Sequence, residues 1–248
     1  MKQWVDLNCD LGEGCITDEA IMPFISSANI ACGYHAGDVD TIKQTLALAK
    51  LNNVAIGAHP SYPDRANFGR KEMDLPVQEI KSLVIEQVQL VQSLAAAMGL
   101  SLHHVKPHGA LYNKAAKDEE TAIAIAEAVY AIDPSLILFG LANSESGKAA
   151  KNLGLAFYNE VFADRTYTDQ GQLTPRTEVN AMITTDEEAI RQVLQMLQEE
   201  TVTSTNGKKI PIQADTICIH GDGEHAVSFA QHINSIILAS NIQIASKA

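Results

Sequence analysis

Carboxylates, imidazoles and cationic side chains recur in this chain at one kind of place, just after a short apolar run. The run WVDLN (4–8) leads into NCDLGEG, which with the run supplies Asp6, Asn8, Asp10 and Glu13. SANIAC (27–32) contains Asn29 and leads into CGYHAGD, with His35 and Asp38. VAIGAH (54–59) leads into GAHPSYPDRANFGRK, with His59, Asp64 and Arg70. LHHVKP (102–107) leads into KPHGALYN, with Lys106, His108 and Tyr112. AFYNEVF (156–162) leads into NEVFADRTY, with Glu160, Asp164 and Arg165, and TICIHGD (216–222) into HGDGEH, with His220, Asp222 and His225. Carboxylates can take a proton as general bases. Imidazoles near neutral pH shuttle protons or bind metals, and cations hold anionic groups or developing negative charge. A mixture of Asp and His also suits a divalent metal with open positions.

Each group has a structural reading as well. Asp6 and Asn8 alternate with Val5 and Leu7, so both can serve one face of a strand by satisfying polar neighbours. Of the adjacent pair His103 and His104, one is expected to pack inside, and neither is read as a ligand. His232 reads as an exposed helical histidine. His225 falls in a first helical turn, where positive charge is disfavoured. Cys9, Cys15, Cys32 and Cys218 form no CxxC pair and read as buried small apolar residues. Familiar motifs are missing. GLANSESGKA (140–149) lacks Walker A spacing, GDGEHA (221–226) comes too late for a dinucleotide fold, and neither HExxH nor G-x-S-x-G occurs.

The elements that must position these groups follow from periodicity. Between the apolar runs, and the further run SLILFGLA (135–142), lie amphipathic stretches at 40–51, 76–98, 119–132, 186–197 and 224–238. In 76–98 Val77, Ile80, Val84, Val88, Val91, Leu94 and Met98 form a helical stripe that needs a sheet to cover. This βα alternation predicts a parallel sheet wrapped by helices. Seven units without a linker predict a single catalytic domain over 1–248, a closed or nearly closed (β/α) barrel, with an open doubly wound sheet as the competitor. Ligands of both folds sit at the carboxyl ends of the strands, which is where the polar groups fall. The long aperiodic segments 59–75 and 164–181 read as functional loops, the first a lid with Arg65, Arg70 and Lys71 as anion contacts. Asn206-Gly207, within 200–213, reads as a hairpin turn in a surface excursion.

Composition narrows the class. Hydrophobic residues at 46% suffice for a core and exclude wholesale disorder. The formal net charge of −12 excludes nucleic-acid binding through the overall field. No run approaches the roughly 18 apolar residues of a membrane span. Asp6 interrupts any leader at the start, so a cytoplasmic location is expected.

Read together, DLNCDLGEG (6–14), SANIACGYHAGD (27–38), GAHPSYPDRANFGR (57–70), VKPHGALYN (105–113), EVFADRTYTDQGQLTPR (160–176) and ICIHGD (217–222) resemble the signature blocks of the LamB/YcsF family. The resemblance runs through nearly the whole chain in order. It implies a seven-stranded, TIM-like barrel similar to glycoside hydrolase/deacetylase barrels. It also implies the activity of the A subunit of ATP-hydrolysing 5-oxoprolinase: cleavage of 5-oxoproline to glutamate, coupled to conversion of ATP to ADP and phosphate, together with subunits B and C.

That activity sets the roles expected here. Asp10, preferred, and Glu13 are candidate general bases. His35, His59 and His108 are proton shuttles or metal ligands. Lys106, Arg70 and Arg165 contact anions, while Asn8, Asn29 and Tyr112 orient substrate. If a divalent metal takes part, Asp6, His35, His59, His220 and Asp222 are its candidate ligands. ATP binds either to this chain, at an unrecognised site, or to a partner subunit. The rivals are a metal-dependent carbohydrate deacetylase or amidohydrolase that works without ATP, and a non-catalytic carboxylate-binding module.

Overall fold

A computed structural model describes residues 2–219 and 226–247. Seven parallel strands close into a barrel: β1 (Trp4–Leu11), β2 (Ser27–Ala31), β3 (Ala55–His59), β4 (His104–Val105), β5 (Ile137–Leu141), β6 (Phe157–Phe162) and, after a short antiparallel hairpin of β7 (Thr201–Thr203) and β8 (Lys209–Pro211), β9 (Thr216–Ile219). Closure is made by β9 against β1, with Asp6 opposite Thr216 and Asn8 opposite Cys218. The competing open sheet is thereby replaced by a ring. A two-residue strand, β10 (Gln243–Ile244), pairs with the start of β1.

The helices α1 (Asp18–Ile21), α2 (Val39–Asn52), α3 (Val77–Ala97), α4 (Gly109–Ala115), α5 (Glu119–Ile132), α6 (Glu145–Leu153), α7 (Asp186–Gln198) and α8 (Ala226–Ala239) follow the strands. Val84, Val88 and Val91 of α3 are buried as their stripe requires. Helix α2 starts at Asp38, whose carboxylate accepts from Thr41 N at 2.8 Å, and α5 starts at Asp118 in the same way. Both long loops are tied down. Gln87 of α3 grips Ser61 through both backbone groups at 2.8–2.9 Å. Arg65 donates to the carbonyls of Gly33 and Gly37. The 59–75 segment is therefore a braced wall, and Arg65 serves the backbone rather than an anion.

Two expectations about elements change. β4 is shorter than the apolar run 102–107, because Pro107 offers no donor, although Lys106 N still bonds Ala58 O at 3.0 Å. Helices α1, α4 and α6 are additions to the expected set; α1 is a single turn. Helices α4 and α6 are short and rich in Ala, Gly and Lys, so they carry no wide apolar stripe to announce them.

The barrel interior is polar. Along β1, Val5, Leu7, Cys9 and Leu11 pack in the apolar core, and the alternate residues turn inward. At the lower level Asp6 Oδ1 accepts from Ser26 and Ser27 hydroxyls at 2.6 and 2.7 Å, and Thr216 donates to its other oxygen. At the next level Asn29 donates to Asn8 Oδ1 at 2.7 Å and accepts from His104 Nε2 at 2.7 Å. His104 stacks on Phe139 with centroids 4.0 Å apart. The position opposite must be glycine: a Cβ on Gly57 would lie 2.2 Å from His104 Nε2.

Candidate active site

Above these levels, at the carboxyl ends of the strands, an ammonium group sits between two acids. Lys106 Nζ lies 2.8 Å from Asp10 Oδ1 and 2.9 Å from Glu160 Oε1, and it also reaches Asn8 Oδ1 at 3.2 Å and Cys218 Sγ at 3.1 Å. Burial alone would lower the lysine's pKa, but the carboxylates of Asp10 and Glu160 outweigh it and hold the ammonium form well above the usual range. The site brings together residues as far apart in sequence as Asn8 and Cys218, and Lys106 on the β4 end meets Cys218, 112 positions away on β9, only across a closed barrel.

Beside this group three imidazoles converge on one carboxylate. Glu13 Oε1 stands 3.1 Å from His35 Nε2, 3.4 Å from His108 Nδ1 and 3.9 Å from His59 Nε2. His59 Nε2 is also 2.9 Å from His108 Nδ1 and 3.3 Å from Asp10 Oδ2. The outer nitrogens are anchored: His59 Nδ1 on Lys106 O at 2.6 Å, His108 Nε2 on Phe68 O at 2.9 Å, and His35 Nδ1 on Ser61 Oγ at 2.9 Å. Burial first, then the neighbouring imidazoles, pushes His35 and His108 down to about 3, so both rings are neutral near pH 7. Glu13 is shifted the other way, upward, by burial and then by the charge of Asp10. These four residues form a buried group able to coordinate a metal ion.

Local backbone makes this possible. Phe68 and Gly69 both take left-handed φ values, +56° and +65°, turning the loop so that Phe68 O points at His108 and Gly69 O accepts from Ala110 N. A Cβ on Gly69 would come within 3.0 Å of both His108 and His35.

A cavity of about 420 Å³ opens over the cluster. Asp10, Glu13, His59, Lys106 and His108 form its floor, and Tyr112 and Phe162 one wall. Arg70, Lys117, Arg165 and Arg176 add cationic groups, the last two from the 164–181 loop. Tyr112 is kept un-ionised, first by burial and then by Glu160.

The expected residues separate into two sets. Asp10, Glu13, His35, His59, Lys106 and His108 come together, and Arg70 and Tyr112 line the cavity. Asn8 and Asn29, expected to orient substrate, are engaged by the protein itself. Asn8 donates to Glu160 and Thr216 and accepts from Asn29 and Lys106, while Asn29 divides its amide among Asn8, Asp10 and His104. Both lie fully buried beneath the floor. Asp6, a metal candidate, is engaged in the same way: three hydroxyls bind its carboxylate, whose pKa burial raises to about 6 despite those bonds. Arg165 lines the cavity, but it spends donors on Ala181 O and Thr174 O, bracing the loop. Lys71 does not reach the cavity lining. His220, Asp222 and His225 lie outside the described residues. Glu160 carries no role in the sequence reading; its place in the NEVFADRTY block at a strand end is the signal that could have found it. Cys218 also departs from the small-apolar reading, since its sulfur touches Lys106. His232, as expected, is on an exposed helix surface, where it pairs with Asp186 at 2.6 Å.

Fold and site together define a closed seven-stranded (β/α) barrel with an acid–imidazole–ammonium cluster at its carboxyl rim. The chain belongs to the LamB/YcsF family, whose model matches residues 5–248. It is 52% identical to the A subunit of 5-oxoprolinase from Tolumonas auensis over 97% of this chain and 98% of that one. The crystal structure of the lactam utilization protein from Thermus thermophilus superimposes with a TM-score of 0.92 at 41% identity, covering both chains completely. A family 4 carbohydrate esterase from Streptomyces lividans, only 10% identical, shares the barrel at a TM-score of 0.51 over 99% of this chain and 93% of that one. Among the described residues no helix is long and apolar enough to cross a membrane.

Proposed function

We propose that this chain, as one catalytic domain over 1–248, is the A subunit of an ATP-dependent 5-oxoprolinase. It would open 5-oxoproline to glutamate as ATP becomes ADP and phosphate, with subunits B and C as partners. The observation that carries the reading is the 52% identity to the A subunit of a 5-oxoprolinase along almost the full chain, with residues of four strand-end blocks meeting at one cavity.

The chemistry suits the geometry. Amide resonance makes the lactam carbonyl a poor electrophile, and phosphorylation of its oxygen by ATP removes that protection. Water then adds to the carbon, the ring C–N bond breaks with a proton going to nitrogen, and a second water releases phosphate. Overall, 5-oxoproline, ATP and two waters give glutamate, ADP and phosphate. Asp10 Oδ2, on the cavity floor, is placed to take a proton from water. Lys106 holds Asp10 Oδ1 and gives the floor a fixed positive charge opposite developing negative charge. Arg70 and Arg176 on the cavity lining suit the substrate carboxylate or a phosphoryl group. His108 and His59 line the same floor beside Asp10. ATP is the cosubstrate, bound by this chain or by a partner, and a divalent cation has a place at the Glu13 cluster.

The test is 5-oxoproline-dependent ADP release by this chain with its two partner subunits. Asp10→Asn and His108→Ala should each lower it by at least about 100-fold, the usual scale for loss of acid–base catalysis, with circular dichroism unchanged. Full activity in both variants removes the assignment.

A further inference from the structure

Proton accounting shows that the cluster has too few donors. Ser61 Oγ gives its one hydrogen to Tyr62 O at 2.9 Å, so it must accept from His35 Nδ1. His59 Nδ1 faces a backbone carbonyl, and so does His108 Nε2, and a carbonyl only accepts. An imidazole with one N–H therefore spends it outward at each of the three positions. His35 Nε2, His59 Nε2 and His108 Nδ1 turn bare lone pairs toward one another and toward Glu13 Oε1, with the rings almost completely buried. Four of their separations are 2.9–3.9 Å and all lie within 4.8 Å, so the lone pairs repel unless something positive lies between them.

We infer that His35 Nε2, His59 Nε2, His108 Nδ1 and Glu13 Oε1 form a binding site for a divalent transition ion of the zinc class. The spacing fits. Metal–ligand bonds of roughly 2.0–2.1 Å at tetrahedral angles put ligand atoms about 3.3 Å apart, and the separations to Glu13 and between His59 and His108 straddle that value. Three imidazole nitrogens with one carboxylate oxygen select zinc, cobalt, manganese or iron over magnesium and calcium, which prefer oxygen shells. The outward hydrogen bonds give such a site the support it needs, since they fix each tautomer with its lone pair inward. Asp10 Oδ2, 3.3 Å from His59 Nε2, flanks the group, and Glu13, His59 and His108 also line the cavity, so the site borders it. The competing occupant is a pair of protons, one shared by His59 and His108 and one between Glu13 and His35.

The experiment loads untagged full-length chain with Zn2+ or Co2+, removes excess by gel filtration, and measures bound metal by mass spectrometry and visible absorption. The inference expects about one equivalent per chain, with the strong visible bands of Co2+ in a four- or five-coordinate site. His59→Ala and Glu13→Gln should each lose the bound metal or its spectrum. Ser61→Ala, which frees His35 without touching a ligand, should weaken zinc binding by about 10- to 100-fold while circular dichroism stays native. Below about a tenth of an equivalent in the folded wild-type chain, protons hold the cluster and the inference fails. It fails equally if Mg2+ alone binds, or if all three variants retain the metal unchanged. The metal content is independent of the lactam assay: a metal-free chain that releases ADP with 5-oxoproline overturns this inference and leaves the proposed activity standing.

Discussion

Replacing Lys106 by Met removes the one cation between two acids while nearly preserving side-chain length. Lys106 is only 2% exposed, and Glu160 is fully buried. In the variant, Glu160 Oε1 loses its ammonium partner at 2.9 Å, Asp10 Oδ1 loses one at 2.8 Å, and Asn8 Oδ1 loses a donor. Breaking one buried ion pair by deleting one partner costs about 3–5 kcal/mol, because the remaining charge is left desolvated. Two carboxylates are stranded here, so the upper part of that range is expected. For a chain of this size each kcal/mol moves the melting temperature by about 2–4 °C, which gives a fall of roughly 6–20 °C. Removing the Glu160 charge as well should return part of the loss, because Glu160→Gln leaves an amide that still accepts from Asn8 through its oxygen. The assay is urea unfolding of wild type, Lys106→Met, Glu160→Gln and the double variant as a cycle. A Lys106→Met cost under about 1 kcal/mol would show the ammonium group to be ordinarily solvated, against the burial described here. Strict additivity of the two changes would show that Lys106 and Glu160 do not interact, and the triad would have to be abandoned.

Other outcomes follow from the same geometry. Arg70→Ala should raise KM for 5-oxoproline by about 10- to 100-fold with a smaller change in kcat, the worth of one charge-assisted hydrogen bond; steady-state kinetics of the complex read this, and an unchanged KM removes Arg70 as an anion contact. Asp6, raised from 3.8 to about 6 by burial, binds its proton more tightly folded than unfolded, so its contribution falls as pH rises from about 4 to about 6. Relative to wild type, Asp6→Asn should therefore gain about 3 kcal/mol between those limits, measured by denaturation at several pH values, and a pH-independent difference would contradict the raised value. Carbon-13 NMR of the Asp6 carboxyl should show its midpoint near 6.

Much of the architecture was legible because its causes are local. The 3.6-residue stripe of Val84, Val88 and Val91 and the turn-prone Asn206-Gly207 act through neighbours in sequence, and both appear as helix and hairpin. The placement of polar residues after apolar runs was equally local, and it located the rim of the barrel. Helices α4 and α6 were illegible because short helices of small residues are stabilised by what they pack against.

By itself, then, the sequence determined the alternation of strands and helices, the family, and which six blocks border the site. The closed tertiary structure alone decided which atoms of those blocks are available. Asn8, Asn29 and Asp6 are as polar as Asp10, yet neighbours on β2, β4, β6 and β9 use up their hydrogen-bonding capacity. Arg165 comes from the same kind of strand-end block as Arg70, and the folded loop sets its guanidinium on Thr174 O and Ala181 O. Which nitrogen of each histidine is bare depends on Ser61 O–H, Phe68 O and Lys106 O, partners that only the folded loops bring into range. Hydrophobic patterning reports the face a residue occupies, whereas the allocation of donors to acceptors is a non-local property of the closed ring.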